Sequence, residues 1–394
     1  MDATLRAPAT VLLAAGLYTN FFACVVVYTR RDATVIRLCA AITLAILTEF
    51  LHDSGNHMLS PLQQRVFGPM LWHNYLSLVE LILFSRADRS ELGDPSNSPP
   101  GPVPGAWLQA LALIFNPRRV GTKWEVKGIP KRSKPQGRFS FAFRSVLKAL
   151  LASTIIDAIL RLPPKPEPHL LEPGKETLYA FWTLSSEDII FRFMVTLMFT
   201  IITCLTVICM YYFAAALTVA IGLNKPESWP PIFGSLRNAY TIRGLWNRTW
   251  HQVLRRVVVA FGDFTSDNIL CIPRGSILSR LSRLFFPFFM SGTLHYIMEL
   301  KDDGLAQGRF GVLVFFLLQP LGILLEEVVH YTCSGLFPRT IQRTIGYIWV
   351  GTWFWWSMAG FCFEQSRTDP PPDLAPIPFV LMAKRSLLFL NRSP

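Results

Sequence analysis

The sequence predicts an all-α fold, a polytopic bundle of transmembrane helices, and three observations predict it. Hydrophobic residues make up 51% of the chain and charged residues 16%, where a soluble domain carries nearer a quarter charged. Apolar runs long enough to cross a bilayer, roughly 20 residues each, recur from one end to the other. The period-two alternation of a transmembrane β-barrel is not visible.

Nine stretches are candidate spans: 8–29, 33–51, 66–85, 145–161, 189–222, 283–300, 309–331, 342–364 and 376–390. The fourth and ninth are short and carry basic residues, which puts the count at about seven to nine. The fifth is over-long and must tilt, bend or run beyond the membrane. The opening run, VLLAAGLYTNFFACVVVY, has no basic flank before it and no A-x-A site after it, and is expected to be a retained span. AWLQALALIF, 106–115, is too short to span and is expected along the interface. The Pro-rich stretches 93–105, 161–174 and 369–378 are connectors. No internal repeat is evident, so residues 1–394 are read as one membrane domain.

Lys and Arg collect in alternate loops. Arg30 and Arg31 follow span one, and loop 86–144 holds Arg118, Arg119, Lys123, Lys127, Lys131, Arg132, Lys134 and Arg138. Loop 223–282 is basic as well, and Arg339 and Arg343 follow span seven. All of these are cytosolic if the N-terminus is luminal. Much of the net charge of +12 is then topological, and anionic lipid headgroups account for most of the rest. Nucleic acid is excluded as a partner, because no soluble basic domain exists to bind it. The seven cysteines are scattered, with no C-x-x-C, and read as small buried hydrophobes with no zinc site or disulfide framework.

Ionisable groups within a bilayer are costly and mark function. His295, in LFFPFFMSGTLHYIMEL, lies about 12 residues into a span, roughly 18 Å deep. Ser291, Gly292 and Glu299 share its helical face. Gly292 leaves room for a substrate, and Glu299 is placed to hold the ring in one tautomer. A histidine that only bonds a neighbouring helix is the alternative.

The stretch NAYTIRGLWNRTWHQVLRR, 238–256, is basic and aromatic. As one helix from Thr241 it places Trp246, Trp250, Leu254 and Val257 or Val258 on an apolar stripe, with Arg248, His251 and Arg255 opposite. Such a helix is either an interfacial anchor or a clamp for a phosphate-rich cofactor. His251, between two arginines, is expected to be neutral.

Glu49-x-x-His52 and Glu327-x-x-His330 match the half-site of di-iron bundles, with Glu80 and Glu299 as further carboxylates. The expected topology puts His52 and His330 at opposite membrane faces, which argues against a metal. His52 to His57 suggests a desaturase box, but adjacent His-His pairs are absent, and so is H-x-x-x-x-D. The sequons at Asn247 and Asn391 fall on the cytosolic side and are expected to be unused.

Tyr240 to Gln252, YTIRGLWNRTWHQ, resembles the S-x-R-x-F-W-G-R-x-W-H-Q box of wax-synthase-like membrane-bound O-acyltransferases. FMSGTLH, ending at His295, resembles that family's S-G-x-x-H segment, and 44 residues separate His251 from His295. Gln319-Pro320-Leu321-Gly322-Ile323 and the Trp-rich run 346–356 are similar to its fungal branch. Asn247 replaces a Gly of the box and Leu245 a Phe, and distant relatives carry Asn where this chain has His251.

The resemblance covers about 230–360, the expected catalytic core. It implies an acyl-CoA-dependent O-acyltransferase of the endoplasmic reticulum, with acetyl-CoA as donor and a lipophilic terpenoid or meroterpenoid alcohol as acceptor. His295 is then the general base, His251 or Trp250 positions the thioester, and Ser291 and Glu299 support. Arg243, Arg248, Arg255 and Trp246 bind coenzyme A, and no metal is needed. The alternatives are a long-chain wax or sterol ester synthase and a non-catalytic transporter or lipid-binding protein.

Overall fold

A computed structural model describes residues 3–58, 61–92, 103–130, 136–161, 165–303, 310–333 and 337–367. The expected span 376–390, the connector 369–378, most of 93–105, Lys131, Arg132, Lys134 and Asn391 lie outside them, as does the side chain of Glu299. Every regular element among the described residues is helical. In chain order these are α1 (Ala3–Tyr28), α2 (Thr34–Asn56), α3 (Pro61–Val79), α4 (Val103–Ile114), α5 (Arg138–Arg161), α6 (Ser186–Ala220), α7 (Ile242–Gly244), α8 (Arg255–Phe264), α9 (Ile277–Asp303), α10 (Gly311–Cys333), α11 (Arg339–Ser357) and α12 (Ala359–Ser366). The chain is therefore a helical membrane protein. Among the described residues five helical stretches are long and apolar enough to cross a bilayer: 9–28, 34–55, 138–161, 186–220 and 311–332. The expected span 66–85 is α3 continued by a π-helical turn, Glu80–Phe84. The expected span 283–300 lies within α9, and 342–364 divides between α11 and α12 at Met358.

Packing divides the chain into two compact units. The first comprises Met1–Phe141, Leu217–Pro231 and His251–Met290, and the second Ala142–Ala216, Ile232–Trp250 and Ser291–Pro394.

In the first unit α1 packs on α2 and α4. Ala106, Ala110, Leu113 and Ile114 of α4 are buried, and Trp107 meets Tyr28 at 6.2 Å. The segment expected along the interface is thus part of a core, because its small residues admit a close helix pair. The arginines bring a second correction. Arg37 is 1% exposed and donates to the carbonyls of Thr29, Arg30, Ile82 and Ala87 at 2.9–3.1 Å, closing the chain ends beyond α1 and the π turn. Arg119 is fully buried on the carbonyls of Leu113 and Ser77, and Arg118 on those of Pro230 and Pro231. Arg138 caps Val219 and Ala220. Arg118, Arg119 and Arg138, counted in the sequence as topological charge, thus hold backbone carbonyls within the unit. Arg256 is likewise used inside the unit, by buried Glu80 at 3.0 Å.

In the second unit Ser185 and Asp188 cap α6 reciprocally, each backbone N–H meeting the other's side-chain oxygen at 2.9–3.1 Å. Arg192 of α6 is fully buried between Phe181 and Trp355 and donates to the carbonyls of Thr177 and Trp356. Of the described cysteines, Cys209 and Cys362 are buried, but Cys24, Cys39 and Cys271 are exposed. The expectation of uniform burial fails because membrane-facing apolar residues need not face a protein core.

Replacing Arg37 by Met removes its bonds to four carbonyls, with the Ile82 and Ala87 bonds buried, and we expect a loss of about 3 kcal/mol or more. Thermal denaturation of the detergent-solubilised protein reads this, and Lys, with fewer donors, restores only part of it.

Candidate active site

The basic, aromatic stretch is not one helix. Thr241 caps the three-residue α7, its hydroxyl accepting from Gly244 N–H at 2.8 Å. The backbone then widens into a π turn, Leu245–Thr249, Trp250 is extended, and α8 begins only at Arg255. The continuous stripe of Trp246, Trp250, Leu254 and Val257 or Val258, with Arg248, His251 and Arg255 opposite, is therefore not formed.

What holds this segment is a carboxylate from α10. Glu326 accepts from the backbone N–H groups of Ile242 and Arg243 and from the indole N–H of Trp349. Beside it, Glu327 pairs with Arg243. The segment also comes so close to α11 that a Cβ on Gly346 would lie 2.2 Å from the carbonyl oxygen of Tyr240. Glycine is required there by the approach of one backbone to another. Gly234 N–H reaches the Thr249 carbonyl at 2.8 Å and closes the other end.

Trp246 turns inward instead of lying at an interface. Its indole N–H donates to Gln319 at 3.2 Å, and its ring meets Trp250, Phe315, Phe316 and Phe354 at centroid separations of 5.8–6.3 Å. Trp250 continues the row to Phe233 at 5.5 Å. At the other end Phe316 lies against the imidazole of His295, 4.9 Å between centroids and tilted by 35°. An unbroken aromatic row thus joins the stretch around Trp250 to His295.

His295 Nδ1 is 2.7 Å from the backbone carbonyl of Ser291. A carbonyl only accepts, so Nδ1 carries the proton and Nε2 of the neutral ring bears a lone pair. The tautomer expected to depend on Glu299 is set by the helix backbone itself. Gly292 also differs from expectation. A Cβ there would meet Phe316 Cβ at 3.0 Å and Leu313 Cδ1 at 3.1 Å, so α10 fills the space read as room for a substrate.

Arg248 is exposed and its guanidinium has no carboxylate partner among the described residues, unlike Arg243. His251 and Arg255 belong to the first unit, where Arg255 donates to Gln252 at 3.0 Å. Burial pushes the Arg255 guanidinium below its ordinary value.

Residues 229–318 match the family model described as "Membrane bound O-acyl transferase family". Acetyltransferase pyr8 of Aspergillus fumigatus is 30% identical over 322 residues, 75% of this chain and 73% of that protein. The chain belongs to the membrane-bound O-acyltransferase family. Acetyltransferase aurG of Calcarisporium arbuscula is 30% identical over 272 residues, 66% of each chain. Acetyltransferase ataH of Aspergillus terreus is 30% identical over 292 residues, 70% of this chain and 95% of that protein. These relatives place the acyltransferase in a fungal branch of the family, and it is an enzyme.

Sequence reasoning passed over Glu326, Phe316 and the contact made by Gln319. Glu326 carried a signal, since it is a carboxylate within an apolar run, but Glu327 drew the attention because it completes E-x-x-H. In the acyltransferase Glu327 serves Arg243 instead. Replacing Glu326 by Leu unpairs three N–H donors, and we expect about 3 kcal/mol of lost stability together with loss of acyl transfer. Gly346→Ala is expected to give the same phenotype, and wild-type activity in either variant would contradict this docking.

Proposed function

We propose that the enzyme transfers acetyl from acetyl-CoA to a hydroxyl of a lipophilic terpenoid or meroterpenoid, with His295 as general base. The observation that carries the reading is the Nδ1 hydrogen bond to the Ser291 carbonyl, which leaves Nε2 as the basic atom. The names of the relatives, acetyltransferases all, support the acetyl donor.

Nε2 takes the proton of the acceptor hydroxyl as its oxygen attacks the thioester carbonyl carbon. The tetrahedral intermediate collapses, the C–S bond breaks, and the coenzyme A thiolate leaves with the proton from the imidazolium. Atoms balance without a covalent acyl-enzyme. The apolar surroundings of the base suit an acceptor that arrives through lipid.

Coenzyme A is assigned to the basic stretch. Arg248, with no carboxylate partner among the described residues, is the first candidate for a phosphate. Arg243 contributes only if it exchanges Glu327 for phosphate. His251 and Arg255 are assigned to the donor by their place in the chain, with Trp246 and Trp250 as aromatic supports. Ser291 acts through its carbonyl, and Glu299 is kept as a supporting carboxylate. The catalytic core is taken as 230–360 and the loop 86–144 as cytosolic. The endoplasmic reticulum is the proposed membrane.

Microsomes carrying wild type or His295→Ala at matched protein level, given radiolabelled acetyl-CoA and hydroxylated terpenoids, test the proposal. Label is expected in the lipid extract with wild type and at least about 100-fold less with the variant. Equal transfer by both removes His295 from the chemistry. A chain-length series of acyl-CoAs separates the wax or sterol ester synthase, which would prefer long chains.

A further inference from the structure

We propose that Gln319 is a positioning residue for His295, acting through the indole of Trp246 and the ring of Phe316. The proposal rests on the reading of His295 as the base.

Gln319 is completely buried in the aromatic cluster of the second unit. Burying a primary amide among aromatic rings is unfavourable unless all its hydrogen bonds are made. An apolar side chain of similar volume would fill the space without that penalty. Here the bonds are made, and in one sense only. The Nε2 group donates to the Phe315 carbonyl at 2.8 Å and to Ser357 Oγ at 3.4 Å. Because a carbonyl cannot donate, the amide cannot be flipped, and Oε1 must face the indole N–H of Trp246 at 3.2 Å. One acceptor oxygen thus fixes the rotation of the largest ring in the cluster.

Trp246 in turn meets Phe316 at 5.8 Å, and Phe316 meets the imidazole at 4.9 Å. Phe316 is also confined at its Cβ, because α9 passes at Gly292, where an added Cβ would lie 3.0 Å away. Its ring is held between Phe315 at 5.1 Å, the indole of Trp246 and the imidazole, and Trp246 is the neighbour whose orientation a hydrogen bond sets. If the indole turns, Phe316 gains freedom and uncovers the face of the imidazole. The Ser291 carbonyl sets which nitrogen is basic, and Gln319 sets what lies over the ring that carries it.

The test follows reaction of His295 with diethyl pyrocarbonate in the full-length protein in detergent, by mass spectrometry of its peptide. Exposed His169 in the same sample is the reference, and His52, 6% exposed in the first unit, is the control for general loosening. Gln319→Met removes the hydrogen bond while keeping bulk, and Trp246→Phe removes it while keeping an aromatic ring against Phe316. Each is expected to raise the His295 rate about threefold or more and leave His52 unchanged. The double variant is expected to match the single variants, because both act on one bond. In acyl transfer kcat is expected to fall in the same order, and in Gln319→Met, outside the residues assigned to coenzyme A, KM for acetyl-CoA is expected to stay within about twofold.

Single variants with the wild-type His295 rate, effects that multiply in the double variant, or a parallel rise at His52 would each overturn the proposal. Should Gln319→Met fail to fold, Trp246→Phe alone decides by the same criterion. The modification rate does not depend on turnover. Full activity in His295→Ala would therefore defeat the base reading while leaving this coupling to stand or fall separately.

Discussion

Every interrupted helix in an apolar setting leaves backbone groups that water cannot satisfy, and in this protein side chains answer that demand repeatedly. Arg37 collects four carbonyls, Arg119 three and Arg118 those of Pro230 and Pro231, and Arg192 joins the end of α11 to the chain before α6. Glu326 is the mirror case, a carboxylate serving N–H groups of α7. Short, broken elements such as α7 and its π turn persist because those ends are satisfied from outside the element.

That constraint also shapes the candidate site. Once Glu326 seats the start of α7 against α10, the π turn carries Trp246 inward, and Gln319 and Phe316 lie on the same helix as Glu326. The row from Phe233 to His295 follows from seating one short segment. On α9 the ring of His295 is oriented by the main chain, since the Ser291 carbonyl lies one turn before it. Long apolar helices supply the frame, and the departure from regular helix at Leu245–Thr249 turns Trp246 toward α10.

The frame was legible in the sequence because a membrane helix needs only length and apolar composition, both local properties. α1, α2, α6 and α10 fall close to the expected spans for that reason. His295 drew attention as a histidine within an apolar run, and the structure places it on α9 against Phe316. The break between Trp250 and Arg255 was not, because helical periodicity assumes a continuous helix and the partners that bend this one are remote. Glu326 lies 84 residues from Ile242, and Gln319 lies 73 from Trp246. Arginine roles were misassigned on the same ground. A guanidinium that caps carbonyls and one that faces lipid have the same sequence signature until the carbonyls are placed.

In the proposed reaction His295 presents Nε2 as its basic atom because Nδ1–H is given to the Ser291 carbonyl. Nitrogen-15 NMR of the protein labelled at histidine and reconstituted in lipid nanodiscs tests it most directly, with His295→Ala identifying the signal. The expected signal is that of a neutral ring protonated at Nδ1 with a bare Nε2. A neutral ring protonated at Nε2 would contradict it and remove the basic atom from the place where the acceptor hydroxyl must lose its proton.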